Sequence, residues 1–431
     1  ADNFDAENLL SKFKDNNYML SLGDIKHQFL YPEIGYVTDG PFIAVSEKVI
    51  YPTWLMQDTA GIVAAGVINQ FDVTNYKNVS LEYFLTSVAR IGQPQGLFCY
   101  HIPFEHPRLC IMPKDTTALF KFVVQHYKRS WSLLLFFFLF RYEKVVPFLS
   151  LMKALFNKVA AVKIDVSRLQ HTTTLLDVET EYDVIIPTMG RAAYLKNVLK
   201  DLAKQTLLPQ KVIIVEQNED VTAKTDLTYL NDVQWPFEVV HEFIHQTGAC
   251  NARNLAISKT TAPWVLFFDD DNRFASLKQS KAKVLNMAYH QKGEVESQKN
   301  YKQLNYFGSG CSILSRDVIN HCSFDMALEH GYGEDADYGV QIRNSGFDVI
   351  YAPQIQIEHL KAPVGGFRKP QVFPWHAQKV QPKPSPQLMY YRIKNNTDKQ
   401  LKGYKLVLFF KLYQQGVIKN PIRYITYFNK A

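Results

Sequence analysis

Asp269, Asp270 and Asp271 follow directly on the apolar run Trp264-Val-Leu-Phe-Phe268. Three adjacent charges cannot lie inside a sheet core, so a strand must end at Asp269 and present the acids at its C-terminal edge. Carboxylates gathered there repel one another unless a cation lies between them. Oxygen ligands of this kind suit a hard divalent ion, Mg2+ or Mn2+, which usually shares its shell with substrate phosphates. An exposed Asp-rich turn is the plainer alternative. A second acidic group, Gly331-Tyr-Gly-Glu334-Asp335-Ala-Asp337, precedes a helical stretch from Tyr338 to Asn344. The helix dipole stabilises anions there, and a carboxylate so held can act as general base toward a hydroxyl. Plain N-capping by Asp335 or Asp337 is the alternative. His359 closes the run Val349-IYAPQIQIEH and can bring an imidazole to the edge that holds Asp271, although a lone histidine is more often structural. Gly248 and Arg253 lie around a helix start in Gln246-TGACNARN254, a setting suited to holding a diphosphate through backbone N–H groups and a guanidinium. That segment is neither a P-loop nor a Rossmann glycine motif.

The elements that must position these residues read as alternating strands and helices. Tyr182–Ile186 is a short apolar run closed by Pro187-Thr-Met-Gly190. Arg191–Gln205 has helical spacing, with Leu195, Val198, Leu199 and Leu202 on one face. Lys211–Val215 is a second strand, ended by Glu216-Gln-Asn-Glu-Asp220, and Phe237–His241 a third. Asn251–Ser258 reads as a helix and Trp264–Phe268 as the strand that delivers the acids. This alternation predicts an α/β fold, a mostly parallel sheet with helices on both faces that binds ligands at the carboxyl ends of its strands. Glu216 and the triplet both fall on that edge.

Residues before about 175 lack the strand-then-acid pattern and are rich in aromatics. Two of their stretches parallel later ones. Thr38–Ile50 resembles Gly308–Ile319, and Ser80–Pro107 resembles Ala336–Pro363, each of the latter pair ending in a strand and a Glu-His pair. An internal duplication whose first copy has lost its acids is the expectation. The reading is therefore an α+β accessory domain over 1–175, a linker over 167–181, a catalytic domain over 182–365, and a basic, aromatic segment over 366–431.

The chain has 431 residues, too many for one core. With 47% hydrophobic and 21% charged residues it is folded rather than disordered. Its five cysteines form no C-x-x-C pair, so neither a zinc site nor a disulfide framework is indicated, and a reducing, cytoplasmic setting is expected. The chain begins with Ala, and ADNFDAENLL contains no signal-peptide core, which suggests a trimmed or partial chain. Residues 361–431 hold 14 Lys/Arg and one acid, Asp398, so the net charge of +7 conceals a strongly basic end. Its tail, Lys405–Lys430, interleaves cations with aromatic and aliphatic side chains. Peripheral contact with an anionic membrane and a helix packed on the body are both open readings, nucleic acid being disfavoured. The ten-residue run Trp131–Phe140, flanked by Lys128, Arg129, Arg141 and Lys144, is either a buried helix or one lying at a membrane interface.

Asp183-VIIPTMGR191, Val212-IIVEQN218, Gly248-ACNARN254, Leu266-FFDDDN272 and Gly333-EDADYGVQIRNSGF347, in this order, resemble the inverting family-2 glycosyltransferases with the GT-A nucleotide-diphospho-sugar transferase fold. The layout resembles a Bacteroidetes-type subgroup with an extra N-terminal region and a Pro-rich segment such as 370–386, and the N-terminal domain would be a degenerate GT-A-like half. The resemblance implies a metal-dependent transfer of a sugar from a nucleotide-sugar, most simply a UDP-sugar, to a glycan or lipid-linked acceptor. The setting implied is surface polysaccharide or glycoconjugate synthesis at the inner face of the plasma membrane. Pro187, Thr188, Arg191, Glu216, Asn218, Arg253, Asp269 and Asp270 would face the nucleotide-sugar. Asp271 and His359 would hold the metal, Asp335 would deprotonate the acceptor and Glu334 would position it. Glu216 and Gln217 depart from the commonest pattern, which has Asp at both places. A non-catalytic glycan- or partner-binding protein of the same fold and a sugar nucleotidyltransferase are the rival readings; the second leaves the 333–347 segment unexplained.

Overall fold

A computed structural model describes residues 17–76, 78–103, 114–156, 165, 181–274, 282–363, 371–416, 418 and 420–430. The chain divides into two compact units, one of residues 1–174 with 395–425, the other of 175–394 with 426–431. The basic C-terminal segment is thus shared between them. The linker expected over 167–181, apart from Glu181, and the Glu105-His106 pair lie outside the described residues.

The second unit is built on a nine-stranded sheet. Its strands are β5 (Tyr182–Thr188), β6 (Lys211–Gln217), β7 (Glu238–Ile244), β8 (Trp264–Phe268), β9 (Asn272–Phe274), β10 (Val284–His290), β11 (Lys302–Gln303), β12 (Cys311–Ser315) and β13 (Ile350–His359). They run in the order β11-β13-β10-β12-β8-β5-β6-β7, with β9 paired to β13. Strands β8, β5, β6 and β7 are parallel to one another, while β12 runs antiparallel to both β8 and β10. Val184, Ile185, Ile186, Val212, Ile213 and Ile214 are wholly buried, as expected of strands covered on both faces. Asp183 interrupts this apolar interior. Its carboxylate accepts from the backbone N–H groups of Thr261 (2.6 Å) and Ala262 (2.9 Å), which offsets its desolvation and fixes the turn that feeds β8.

The first unit has a four-stranded sheet of β1 (Tyr18–Gly23), β2 (Tyr51–Pro52), β3 (Ala60–Val63) and β4 (Phe98–Pro103), in the order β2-β4-β1-β3. Helices α1 (Leu81–Gly92), α2 (Thr116–His126), α3 (Arg129–Phe138) and α4 (Phe148–Leu155) accompany it in the N-terminal part of the unit. Its core is aromatic, with Tyr36, Trp54, Tyr83, Phe120, Phe122 and Phe138 all wholly or almost wholly buried. Pairs such as Tyr36 and Phe138, stacked at 4.7 Å, add about 0.5–1.5 kcal/mol each beyond the area they bury.

The two sheets share a pattern. In the first unit β2–β4 is antiparallel, β4–β1 parallel and β1–β3 antiparallel. In the second, β11–β13, β13–β10 and β10–β12 repeat those senses. Element starts at 51, 60, 65, 73, 81 and 98 are matched by starts at 302, 311, 316, 326, 334 and 350, each pair alike in type and nearly constant in spacing. Helix α1 therefore matches α7 (Glu334–Asn344). The likeness between the two stretches, expected from sequence, has this register in the structure. Thr38–Ile50, aligned by sequence with β12, instead forms a 3-10 turn at Pro41–Ile43, and Ala60–Val63 is the strand that corresponds.

Candidate active site

Strand β8 stops at Phe268 and the triplet spreads in three directions from its end. Asp270 is buried; Thr188 donates to its Oδ2 (2.6 Å) and Arg191 Nη1 to its Oδ1 (2.8 Å). Burial pushes the Asp270 carboxyl up to about 6, against the opposing pull of Arg191 and Thr188. Asp271, also buried, accepts from the Ala362 N–H at 2.9 Å, with Arg191 Nη1 at 3.4 Å and His359 Nε2 at 3.6 Å from its Oδ2. The Leu360 N–H donates to its carbonyl, so the end of β13 is stitched to the triplet. Asp269 keeps 31% of its side chain open. Its pKa is raised by crowding protein atoms and by the charges of Asp271 and Asp335, with Arg253 and His359 opposing.

Gly310 makes this arrangement possible. Its carbonyl receives the Asp269 N–H (3.2 Å) and the Asn272 side chain (2.7 Å), and a Cβ at Gly310 would stand 2.3 Å from Asp269 Oδ2. One residue earlier, the Ser309 N–H donates to Asp335 Oδ2 at 3.4 Å. The Ser309-Gly310 backbone thus links the triplet to the second acidic group, and residues 269 and 335 share one site despite their distance in sequence. Glu334 and Asp335 are the first two residues of α7, preceded by Gly333 at φ 115°. The Tyr391 side chain stands 3.3 Å from where a Gly333 Cβ would lie, so the left-handed backbone and this close approach both call for glycine. Burial, then the neighbouring Asp335, raises the Glu334 carboxyl.

Arg253 lies on α6 (Ala249–Lys259), its Nη2 3.9 Å from Asp269 Oδ1 and its guanidinium over the Phe324 ring. Arg253 Nε and Nη1 and Asp335 Oδ1 are buried without a protein hydrogen-bond partner. Groups of this kind are costly unless something pairs with them. The N-terminus of α6 is a different matter. Glu329 accepts from the N–H groups of Cys250 (3.0 Å) and Asn251 (2.8 Å), and a Cβ on Gly248 would collide with its carboxylate. The backbone donors read from sequence as a diphosphate cradle are therefore capped from within the protein, which leaves the Arg253 guanidinium as what α6 offers beside Asp269.

Glu216 ends β6 and is buried under three donors: Thr225, the Asp226 N–H and His241. Burial would raise its pKa, but these bonds together hold it below the ordinary value. The Gln217 side chain accepts from the Gly248 N–H. Asn218 closes the same edge, its side chain capping the turn at Asp220. Pro187 is in β5 opposite Val215. The C-terminal edge of β5, β6 and β8 thus carries Thr188, Arg191, Glu216, Asn218 and the triplet.

His359 stacks on Tyr289 at 4.5 Å between ring centres, and the Tyr289 hydroxyl donates to Asp269 Oδ2 (3.3 Å). Tyr289 and Glu329 were not anticipated from sequence. The β10 run 284–290 contains no charge that would single out Tyr289, and Glu329 is placed by chain crossing alone. Gly310 left a trace, the Gly-Ser-Gly immediately before a strand. Among the described residues no three His, Cys, Asp or Glu side chains are grouped to hold a metal by themselves. The pair Asp271–His359 offers one carboxylate and one imidazole, a donor set that fits an ion completing its shell with phosphate oxygens.

Residues 183–281 match the family model described as glycosyl transferase family 2. An uncharacterized glycosyltransferase of Haemophilus influenzae is 30% identical over 98 residues, which is 23% of this chain and 32% of that protein. The chain thus spans about a third of the length of this curated relative. S. aureus TarS in complex with UDP-GlcNAc aligns at 14% identity over 57% of this chain and 79% of that one, with a TM-score of 0.41. GalNAc-T7 with UDP, GalNAc and Mn2+ aligns at 13% identity over 56% and 57%, TM-score 0.38. A Pyrobaculum calidifontis mannosyltransferase with GDP-Man and Mn2+ gives 14% identity over 57% and 78%, TM-score 0.33. Such scores settle nothing about substrate. The segment that matches the family 2 model, residues 183–281, contains the strand that delivers the triplet and the strands beside it, β5, β6 and β7.

Proposed function

We propose that the second unit is an inverting glycosyltransferase that moves a sugar from a nucleoside-diphosphate donor to an acceptor hydroxyl. The observation that carries this is the pairing of two unsatisfied groups in one site. Asp335 Oδ1 is a buried acceptor, and Arg253 a buried donor 3.9 Å from Asp269. A carboxylate and a guanidinium so placed match the two ends of the reaction. Asp335 takes the proton of the acceptor hydroxyl, whose oxygen attacks the anomeric carbon. The bond from that carbon to the diphosphate breaks, and its electron pair leaves with the diphosphate. Arg253 stabilises the charge that develops there. Asp335 being the only base required, the anomeric centre inverts.

Asp271 and His359 would hold a divalent ion, which when bound would neutralise diphosphate oxygens. Arg191 and Thr188 hold Asp270 in place, and the Ala362 N–H aims Asp271. Glu216 and Asn218 line the strand edge on which base and ribose would rest. A UDP-sugar as donor and a glycan or lipid-linked acceptor in surface glycoconjugate synthesis are the expectations of the resemblance. Binding without turnover would leave the buried, unpartnered Oδ1 of Asp335 unexplained.

The test is donor turnover with purified protein over a panel of nucleotide-sugars. Asp335→Asn is expected to lose transfer while still binding nucleotide, and Asp271→Ala to lose metal-dependent nucleotide binding, read by thermal shift with Mn2+. Wild-type turnover in Asp335→Asn would remove the base assignment. Chelation that leaves both turnover and nucleotide binding unchanged would remove the metal.

A further inference from the structure

We propose that the helical hairpin of residues 129–156 in the first unit is a docking edge for an anionic membrane surface. Helix α3 buries Leu135 and Phe138 but exposes Leu133 and Phe137, and Phe140 continues the same face one turn on. The connection to α4 is open as well, with Val146 65% exposed. On α4, Leu149 is 73% exposed, and Phe156, just beyond its end, 79%. Single exposed apolar side chains are ordinary; a run of them along both arms and the tip of one hairpin marks an interaction surface.

Charge selects the occupant. Lys128, Arg129, Arg141, Lys144 and Lys153 surround the apolar face. The hairpin's one acid, Glu143, is engaged by the Tyr36 hydroxyl (2.6 Å) and by Lys399. Aromatic and aliphatic side chains rimmed by unopposed cations suit the boundary between acyl chains and anionic headgroups. Among the described residues no helix is long and apolar enough to cross a bilayer.

The basic tail is less suited to this role. Helix α9 (Asp398–Gln415) spreads its apolar residues around its circumference. It is also fastened to the first unit: Gln400 donates to the Gly40 carbonyl (2.9 Å), and a Cβ on Gly403 would stand 2.5 Å from the Tyr36 carbonyl oxygen. Lys402 lies over the Tyr142 ring, so α9 packs beside the hairpin and adds charge to its rim.

This inference is independent of the glycosyltransferase reading, and its readout is binding alone. Full-length protein is floated with vesicles of phosphatidylcholine, or of phosphatidylcholine and phosphatidylglycerol in equal parts, at low and high salt. The wild type should float with the anionic vesicles, weakly with the neutral ones, and less at high salt. Each cation near the surface contributes about fivefold, so Arg141→Glu/Lys144→Glu should weaken binding by roughly 25-fold or more. Phe140→Ser/Leu149→Ser should weaken binding to a similar extent while leaving the thermal melt unchanged, since both side chains already face solvent. Wild-type protein that stays unbound with anionic vesicles at low salt would overturn the proposal. So would wild-type binding by both double variants. Loss of a dimer rather than of vesicle binding in these variants would assign the hairpin to a second copy of the chain instead.

Discussion

Helices α1 and α7 hold corresponding positions beside four strands paired in the same senses, yet their acids have different surroundings. Asp335 is the second residue of α7 and Glu82 the second residue of α1. Each accepts one backbone N–H, from Ser309 and Phe29 respectively. The first unit has thus kept a carboxylate at this place, contrary to the expectation from sequence that its copy had lost its acids. Burial, with Asp58 nearby, pushes Glu82 up to about 8, whereas Asp335 faces Asp269 and shares its surroundings with Arg253. What separates them is the opposite half of the sheet. Strands β5, β6, β7 and β8 have no counterpart among the described residues of the first unit, so nothing there delivers a triplet or a guanidinium toward Glu82. Copying a topology reproduces where a helix starts; the chemistry depends on what stands across from it.

The largest test of this contrast is a pair of substitutions. Asp335→Asn should reduce transfer by about a hundredfold to ten-thousandfold, the range for a general base. Glu82→Gln should leave turnover unchanged; an equal loss in both would mean that the first unit takes part in the chemistry. A smaller effect is expected at Gly61, where a Cβ would stand 2.4 Å from the Leu20 carbonyl oxygen of the neighbouring strand. Gly61→Ala should cost about 1–3 kcal/mol in a urea melt by forcing β3 away from β1. Lys394, on α8 (Pro386–Asn395), bonds Asp325 (2.7 Å) and the buried Asp337 of α7 (3.0 Å). Lys394→Ala removes one partner from each, expected at about 1–2 kcal/mol, and should raise the acceptor KM by loosening the start of α7.

A pH signature of Glu82 sharpens the same contrast. Its raised pKa means that the folded state holds the proton more tightly than the unfolded chain does. The resulting stability is complete below the ordinary glutamate value of 4.5 and is lost as the pH climbs toward 8. Glu82→Gln, which imitates the protonated form, should melt like the wild type at acidic pH and at higher temperature than the wild type above pH 8. A uniform difference across that range would show that Glu82 does not titrate as described.

Much of the second unit was legible in sequence because each element announces itself locally. The strand before the triplet was read as Trp264–Phe268 and has those bounds, since three adjacent acids cannot continue a buried strand. Strands β5 and β6 extend two residues beyond their predicted ends, through Pro187-Thr188 and Glu216-Gln217, because neighbouring strands satisfy their backbones. The likeness of the two halves was legible in outline but not in register, since two short stretches of like composition can align by chance whereas paired strands fix their own alignment.

Sequence by itself determined which residues could do chemistry here: acids that must leave a sheet, glycines before a helix, and apolar runs that fix the order of strands. Only the tertiary structure decided which of them meet. The Ser309-Gly310 backbone joins Asp269 to Asp335, Glu329 takes the helix donors that a diphosphate might have used, and Tyr289 supports His359. Each is a contact between segments far apart in the chain, set by the crossing of strands rather than by any local preference, and so leaves no periodic mark in the sequence.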